Sequence, residues 1–287
     1  MGLFSGLESL GLGKMQEEEV FEKETPKGPA KGVPAAPQRS EVDVLLDRTF
    51  TCVVCGKEFQ SKTIKAGKNK LVKQELDLRA IYDMADAVKY DPIVCPHCGY
   101  ATLTRFVKQP LPSVQEKLIR EKICANFKGI EQPKGAYSYD DAILRYKLVL
   151  ASTVVKSGKD SEKAYVCLKM GWAIRGKAEN LPADTPNREE VLKKLHAEEL
   201  ECLQNAYEGF SSAFSKESFP MCGMDENTVM YLCAELARRT GKFDEAARLA
   251  SSIITSRSAG ERMKERAREV KELIKKQRDA AEAAKSK

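Results

Sequence analysis

The chain has 287 residues, 42% of them hydrophobic and 31% charged, which is enough apolar material for one or two folded domains. Aromatics make up only 7%, with a single Trp, which argues against a β-sandwich and fits a helical protein. Basic residues outnumber acidic ones by 48 to 42, a net charge of +6, which permits nucleic-acid binding without demanding it. No stretch approaches the length of a transmembrane helix, and the first fifteen residues lack the pattern of a secretory signal. A cytoplasmic protein is therefore expected.

In chain order, residues 1–45 read as a disordered tail. Its run PKGPAKGVPAAPQRS cannot bury a core. Ahead of that run, Leu3, Phe4, Leu7 and Leu10 make one apolar helical face, interrupted by Gly2, Gly6, Gly11 and Gly13: a short docking motif or a frayed end. Gly6 stands where a myristoylation signal needs Ser or Thr, so no membrane anchor is expected. Residues 46–110 read as a small β module. RTFTCVVCGKEFQSKTIKAG and DPIVCPHCGYATLTRFV each alternate apolar and polar residues around a turn, as short hairpins do. Between them, LRAIYDMADAV has the spacing of a short helix.

Residues 111–278 read as a helical domain. Ser138 and Asp141 mark a helix start, with Ile143, Tyr146, Leu150 and Val154 on one face. A second helix, from near Ser161, carries Tyr165, Leu168 and Trp172. Pro182 and Pro186 break the chain before a long helix from about Glu189 to Ser215. Asp225 caps the next helix, which ends before Gly241, and Asp244 opens another. The last helix carries Met263, Ala267, Val270 and Ile274 on one stripe, and residues 279–287 read as a disordered tail.

Nine Cys in a chain without an export signal point away from disulfides and toward metal ligation where thiols cluster. Cys52-Val-Val-Cys55-Gly56 and Cys95-Pro-His-Cys98-Gly99 are two copies of one device. Each turn aims two thiolates at one point, and the glycine allows backbone N–H groups to face the sulfurs. Together they supply the four tetrahedral corners that one structural Zn²⁺ accepts. The alternative metal is iron, in a rubredoxin-like electron carrier. The 39 residues between Cys55 and Cys95 exceed what so compact a module needs. The other five cysteines, Cys124, Cys167, Cys202, Cys222 and Cys233, are expected in cores.

His97 lies inside the second knuckle and is read as a solvent-facing turn residue, because four Cys already close the shell. His196, on a charged helix, is read as surface. Two histidines leave little from which to build a hydrolytic triad, and a four-thiolate zinc has no open position for water. A non-enzymatic protein with no catalytic residues is the expectation.

The basic stretch holds Lys62, Lys65, Lys68, Lys70 and Lys73. It offers phosphate contacts, or it is a solvated hairpin offsetting the surplus negative charge of the metal centre. Arg, the usual base reader, is absent from it. Nucleic-acid binding is thus an alternative function. The helical segments resemble tetratricopeptide repeats, most clearly MYLCAELARRTGKFDEAARLASSII, where Ala246 and Ala250 occupy the small positions. Tyr165, Leu168 and Trp172 with Ala206, Phe210 and Ala213 fit a second, split unit, from which Lys169 departs. Stacked units of this kind leave a groove for a protein or peptide partner. An adaptor that binds such a partner is the expected function.

FTCVVCGKEF, IVCPHCGY, YDDAILRYKLVL, KMGWAIR and GMDENTVMYLCAELARRTGKFDEAARL together resemble a bacterial family known as domain of unknown function 2225. The resemblance spans residues 46–255. It implies a cytoplasmic bacterial protein in which a zinc module is fused to tetratricopeptide-like helices, and it carries no activity.

Overall fold

A computed structural model describes residues 40–285 of the chain, with side chains through residue 279. The apolar motif at Leu3–Leu10 lies outside the described residues. Among those described, the fold is mostly helical, with seven helices following three small β-hairpins.

The first hairpin pairs β1 (Leu45–Thr51) with β2 (Glu58–Ile64), antiparallel, with Phe50 opposite Phe59. It is preceded by a 3-10 turn, Glu41–Val44, whose Glu41 bonds Lys89 and Tyr90, so these four residues, read from sequence as part of the tail, are structured. The second pairs β3 (Leu71–Gln74) with β4 (Ala80–Tyr82) across a bulge. The third pairs β5 (Pro92–Val94) with β6 (Ala101–Leu103).

The short helix expected in LRAIYDMADAV is instead strand β4 followed by a 3-10 turn, Ala87–Tyr90. Its carboxylates take the backbone away from helix. Asp83 accepts from the Lys70 amide at 2.8 Å, Asp86 accepts from Val88 at 3.0 Å, and Leu78 turns the chain at φ +70°.

The helices are α1 (Ser113–Ile119), ending in a π turn at Arg120–Cys124, α2 (Tyr139–Val155), α3 (Asp160–Glu179), α4 (Arg188–Phe214), α5 (Glu226–Arg239), α6 (Phe243–Thr255) and α7 (Glu261–Lys285). Each from α2 onward packs on the next. Ser138 and Asp141 close the expected capping box on α2. Ile143 and Tyr146 are buried as expected, but toward its C-terminal end the buried face of that helix shifts to Val149 and Thr153, while Val154 is 55% exposed. Asp225 caps α5, accepting from the Thr228 amide at 2.7 Å. Helix α7 runs to Lys285, past the expected limit at 278, in Ala- and Lys-rich sequence of high helix propensity.

Helix α3 is buried nearly all round and carries the main core, with Val166, Leu168, Trp172 and Ala173 enclosed. The β3–β4 hairpin is fastened to it by charge. Arg175 donates to Glu75 at 2.5 Å, to Asp77 at 2.6 Å and to Glu199 at 2.7 Å, and Trp172 Nε1 donates to Asp77 at 3.1 Å. From the hairpin side, Arg79 donates to Glu179 at 2.9 Å and to Asp86 at 3.3 Å. Burial pushes the Asp77 carboxyl upward, yet Arg175 and Arg239 together outweigh it and hold the group below the usual carboxylate range.

Candidate metal centre

Two six-residue turns close the first and third hairpins in the same way. In one, the Cys52 amide donates to Lys57 O at 3.0 Å and the Gly56 amide to Cys52 O at 2.9 Å. In the other, the Cys95 amide donates to Tyr100 O and the Gly99 amide to Cys95 O, both at 2.9 Å. Gly56 and Gly99 both have positive φ, +71° and +77°. Gly99 carries a second constraint: a Cβ there would lie 2.5 Å from the Phe127 ring.

The turns face each other and bring the sulfurs of Cys52, Cys55, Cys95 and Cys98 within 4.8 Å of one another. Cys52 and Cys98 are 3.6 Å apart, and Cys55 and Cys95 are 3.7 Å apart. A tetrahedral ion with metal–sulfur bonds of about 2.3 Å needs edges of roughly 3.8 Å, so the sulfurs are spaced for one ion. Among the described residues this is the one cluster of three or more Cys, His, Asp or Glu with that capacity. Cys52, Cys95 and Cys98 are buried and Cys55 is half-buried.

The electrostatics favour thiolate. Bonds from the Cys95 and Cys98 thiols hold Cys52 well below the ordinary thiol range, helped by the Cys55 and Val54 amides. The same sharing pushes Cys95 and Cys98 up. Metal ligation needs the thiolate form, so binding a cation releases protons from the cluster. Outside the sulfurs, Arg120 donates to the Val54 carbonyl and to Glu116, placing a cation beside the first turn. A compact core backs the site: Phe50 stacks on Phe59 at 5.9 Å, with Val54, Ile93, Tyr100 and Ile119 buried around them.

His97 is exposed, its Nε2 3.2 Å from the Glu58 carbonyl of the opposite hairpin, and stands outside the sulfur cluster. His196 is exposed on α4. Cys167, Cys202 and Cys233 are buried in the helical core. Cys124 is different. It lies in the π turn and packs against the sulfur cluster, and burial pushes its thiol up. Sequence reasoning missed it because a single Cys in a helical pattern has no spacing partner.

The lysine stretch is divided. Lys62 is buried and bonds Asp47 at 2.9 Å, and Lys65 bonds the Asp43 carbonyl at 2.9 Å. Lys68, Lys70 and Lys73 stay exposed in the turn and on β3.

The sequence profile of a family described as uncharacterized proteins conserved in bacteria matches residues 45–274, from the first residue of β1 into α7. The chain belongs to this family, DUF2225. The match takes in both cysteine turns of the DUF2225 chain, the β3–β4 hairpin and most of the helical domain. Comparison with curated proteins and with solved structures gave no match. Among the described residues of this DUF2225 chain, no helix is long and apolar enough to cross a membrane.

Proposed function

We propose that Cys52, Cys55, Cys95 and Cys98 hold one structural zinc ion and that the helical domain is a non-enzymatic adaptor for a protein segment. The metal half is supported by four sulfurs within 4.8 Å of one another, enough to close a tetrahedral shell without a water. It braces the hairpins against α1, whose Ile119 is enclosed beneath the sulfurs.

The observation that carries the adaptor reading is a cavity of about 710 Å³ over α3, between α2 and α4. Leu150, Val154, Cys167, Met170 and Ile174 make it apolar. Glu198, Glu201 and Glu208, at helical spacing on α4, give it an acidic wall. An amphipathic segment with apolar anchors and basic flanks is the complementary occupant. We read α3–α4 and α5–α6 as two tetratricopeptide-like units. In support, Tyr165, Leu168, Trp172, Ala206, Phe210 and Ala213 are buried in the first, and Ala246 and Ala250 in the second.

Elemental analysis of undenatured protein should find one zinc per chain; a red preparation with a one-electron couple would mark the iron alternative instead. Capture from the native cell should retain a partner on the wild type that is lost on Val154→Glu, an exposed position whose change leaves the core intact. Identical capture by both proteins defeats the adaptor reading.

A further inference from the structure

A second surface lies apart from the helical groove, along the outer edge of β1. The β1–β2 sheet has two strands, so among the described residues the edge of β1 away from β2 has no strand partner. The ladder is bracketed by the Cys52 amide bonding Lys57 O and the Lys65 amide bonding Val44 O. Alternate residues between these bonds exchange hydrogen bonds with β2. Residues 47, 49 and 51 therefore turn their N–H and C=O groups outward, whereas the Leu45 amide bonds the Val42 carbonyl.

A cavity of about 360 Å³ lies against this edge. Four consecutive β1 residues, Arg48 to Thr51, line it and no β2 residue does. Its other wall is the segment after β6, with Arg105 and Lys108. The three cations face a groove with no carboxylate in its lining. Nearby carboxylates are already taken, Asp47 by Lys62 and Asp91 by Lys169. Arg48 rests on the Phe50 ring at 5.5 Å and Arg105 on the Tyr165 ring at 4.8 Å, and among the described residues neither has a carboxylate partner.

An open strand edge pairs with any extended chain unless charge selects. Here the selection is one-signed. It repels another copy of the same edge and admits a strand bearing acids. We propose that this groove binds an extended acidic segment of a partner protein by strand addition to β1. Main-chain bonds to Thr49 and Thr51 supply affinity, and Arg48, Arg105 and Lys108 supply the preference for acidic side chains. A nucleic-acid strand is the poorer fit, because the one aromatic ring in the lining, Phe50, is covered by Arg48.

The probe is a fluorescein-labelled ten-residue peptide of alternating Glu and Val, followed by anisotropy with full-length, metal-loaded protein. It should bind, weaken as salt rises, and fail when Lys replaces Glu. The exposed double variant R48E/K108E should weaken it at least tenfold. T49P removes one outward N–H without touching the β2 ladder and should do the same. Metal content and circular dichroism verify the fold of both variants. On the wild type alone, bound peptide should slow hydrogen exchange at Asp47, Thr49 and Thr51. Absent binding, equal binding of the Lys peptide, or unchanged exchange at those amides would overturn the proposal. So would full binding by T49P, or displacement of the peptide by a ten-nucleotide oligothymidylate at equal concentration.

Discussion

The β1–β2 and β5–β6 hairpins converge on sulfur, whereas the β3–β4 hairpin between them is held by charge. All three are two-stranded, and such a hairpin is marginal on its own in water. The outer two bring four thiols to one point and back them with a small core around Phe50, Phe59 and Ile93. The middle one has an exposed first strand, with Leu71 and Val72 facing solvent, and contributes little apolar area. Its anchor is Asp77, fully buried, gripped by Arg175 and Trp172 of α3. A four-sulfur cluster that could hold a metal ion joins two pieces of one module to each other. A buried ion network fastens a loop to a distant helix.

The largest effect should come from the sulfurs. With Cys95→Ser the metal shell is broken, and metal-binding free energy on the order of 10 kcal/mol is withdrawn from folding. Elemental analysis should show the ion lost, and hydrogen exchange should show residues 45–64 and 92–103 unprotected. If the comparison holds, amides of β3–β4 keep more of their protection, because their anchor lies on α3. Equal loss in all three hairpins would break it.

Next in size is the charge anchor. Asp77→Asn withdraws one of the three carboxylates that Arg175 bonds, leaving Glu75 and Glu199, and should cost about 1.5–3 kcal/mol in urea unfolding, with metal content unchanged. The pH dependence follows from the depressed Asp77 carboxyl. Its stabilisation is complete above the ordinary value of 3.8 and is lost as pH falls through the lower value of the folded state. Wild-type stability should therefore drop in that acid window, and Asp77→Asn should flatten the drop. A variant with the same acid slope as the wild type would show that other carboxylates carry it.

The two fastenings differ in how far they reach along the chain, and that decides what the sequence reveals. Each cysteine turn is settled by six consecutive residues, with the glycine needed for its φ at the last-but-one position, so the four clustered cysteines were legible. The Ser138–Asp141 box and the Asp225 cap are equally local. The network joins Glu75 and Asp77 to Arg175 about a hundred positions away. Nothing near Leu78 signals that distant partner, and the spacing of Leu78, Ile81, Tyr82 and Ala85 suits a helix as well as a strand. The C-terminal end of the α2 face was misread for a related reason. Val154 continues the apolar stripe, but it borders the open groove over α3, where no neighbour covers it.

The smallest effects separate the two cysteine turns from each other. Both glycines hold positive φ, which costs an L-residue about 1–2 kcal/mol. At Gly56 a Cβ meets open space, so Gly56→Ala should cost only that strain. At Gly99 the Cβ also drives into Phe127, adding an overpacking cost of about 1–3 kcal/mol. Thermal unfolding of the two variants, both with the same metal content, should rank Gly99→Ala below Gly56→Ala. Adding Phe127→Ala should remove most of the difference, because it deletes the clash and leaves the backbone strain in place. Equal melting temperatures for the two single variants would mean that the second turn yields to Phe127 at no cost. The symmetry of the two turns would then extend to their surroundings as well as to their backbone.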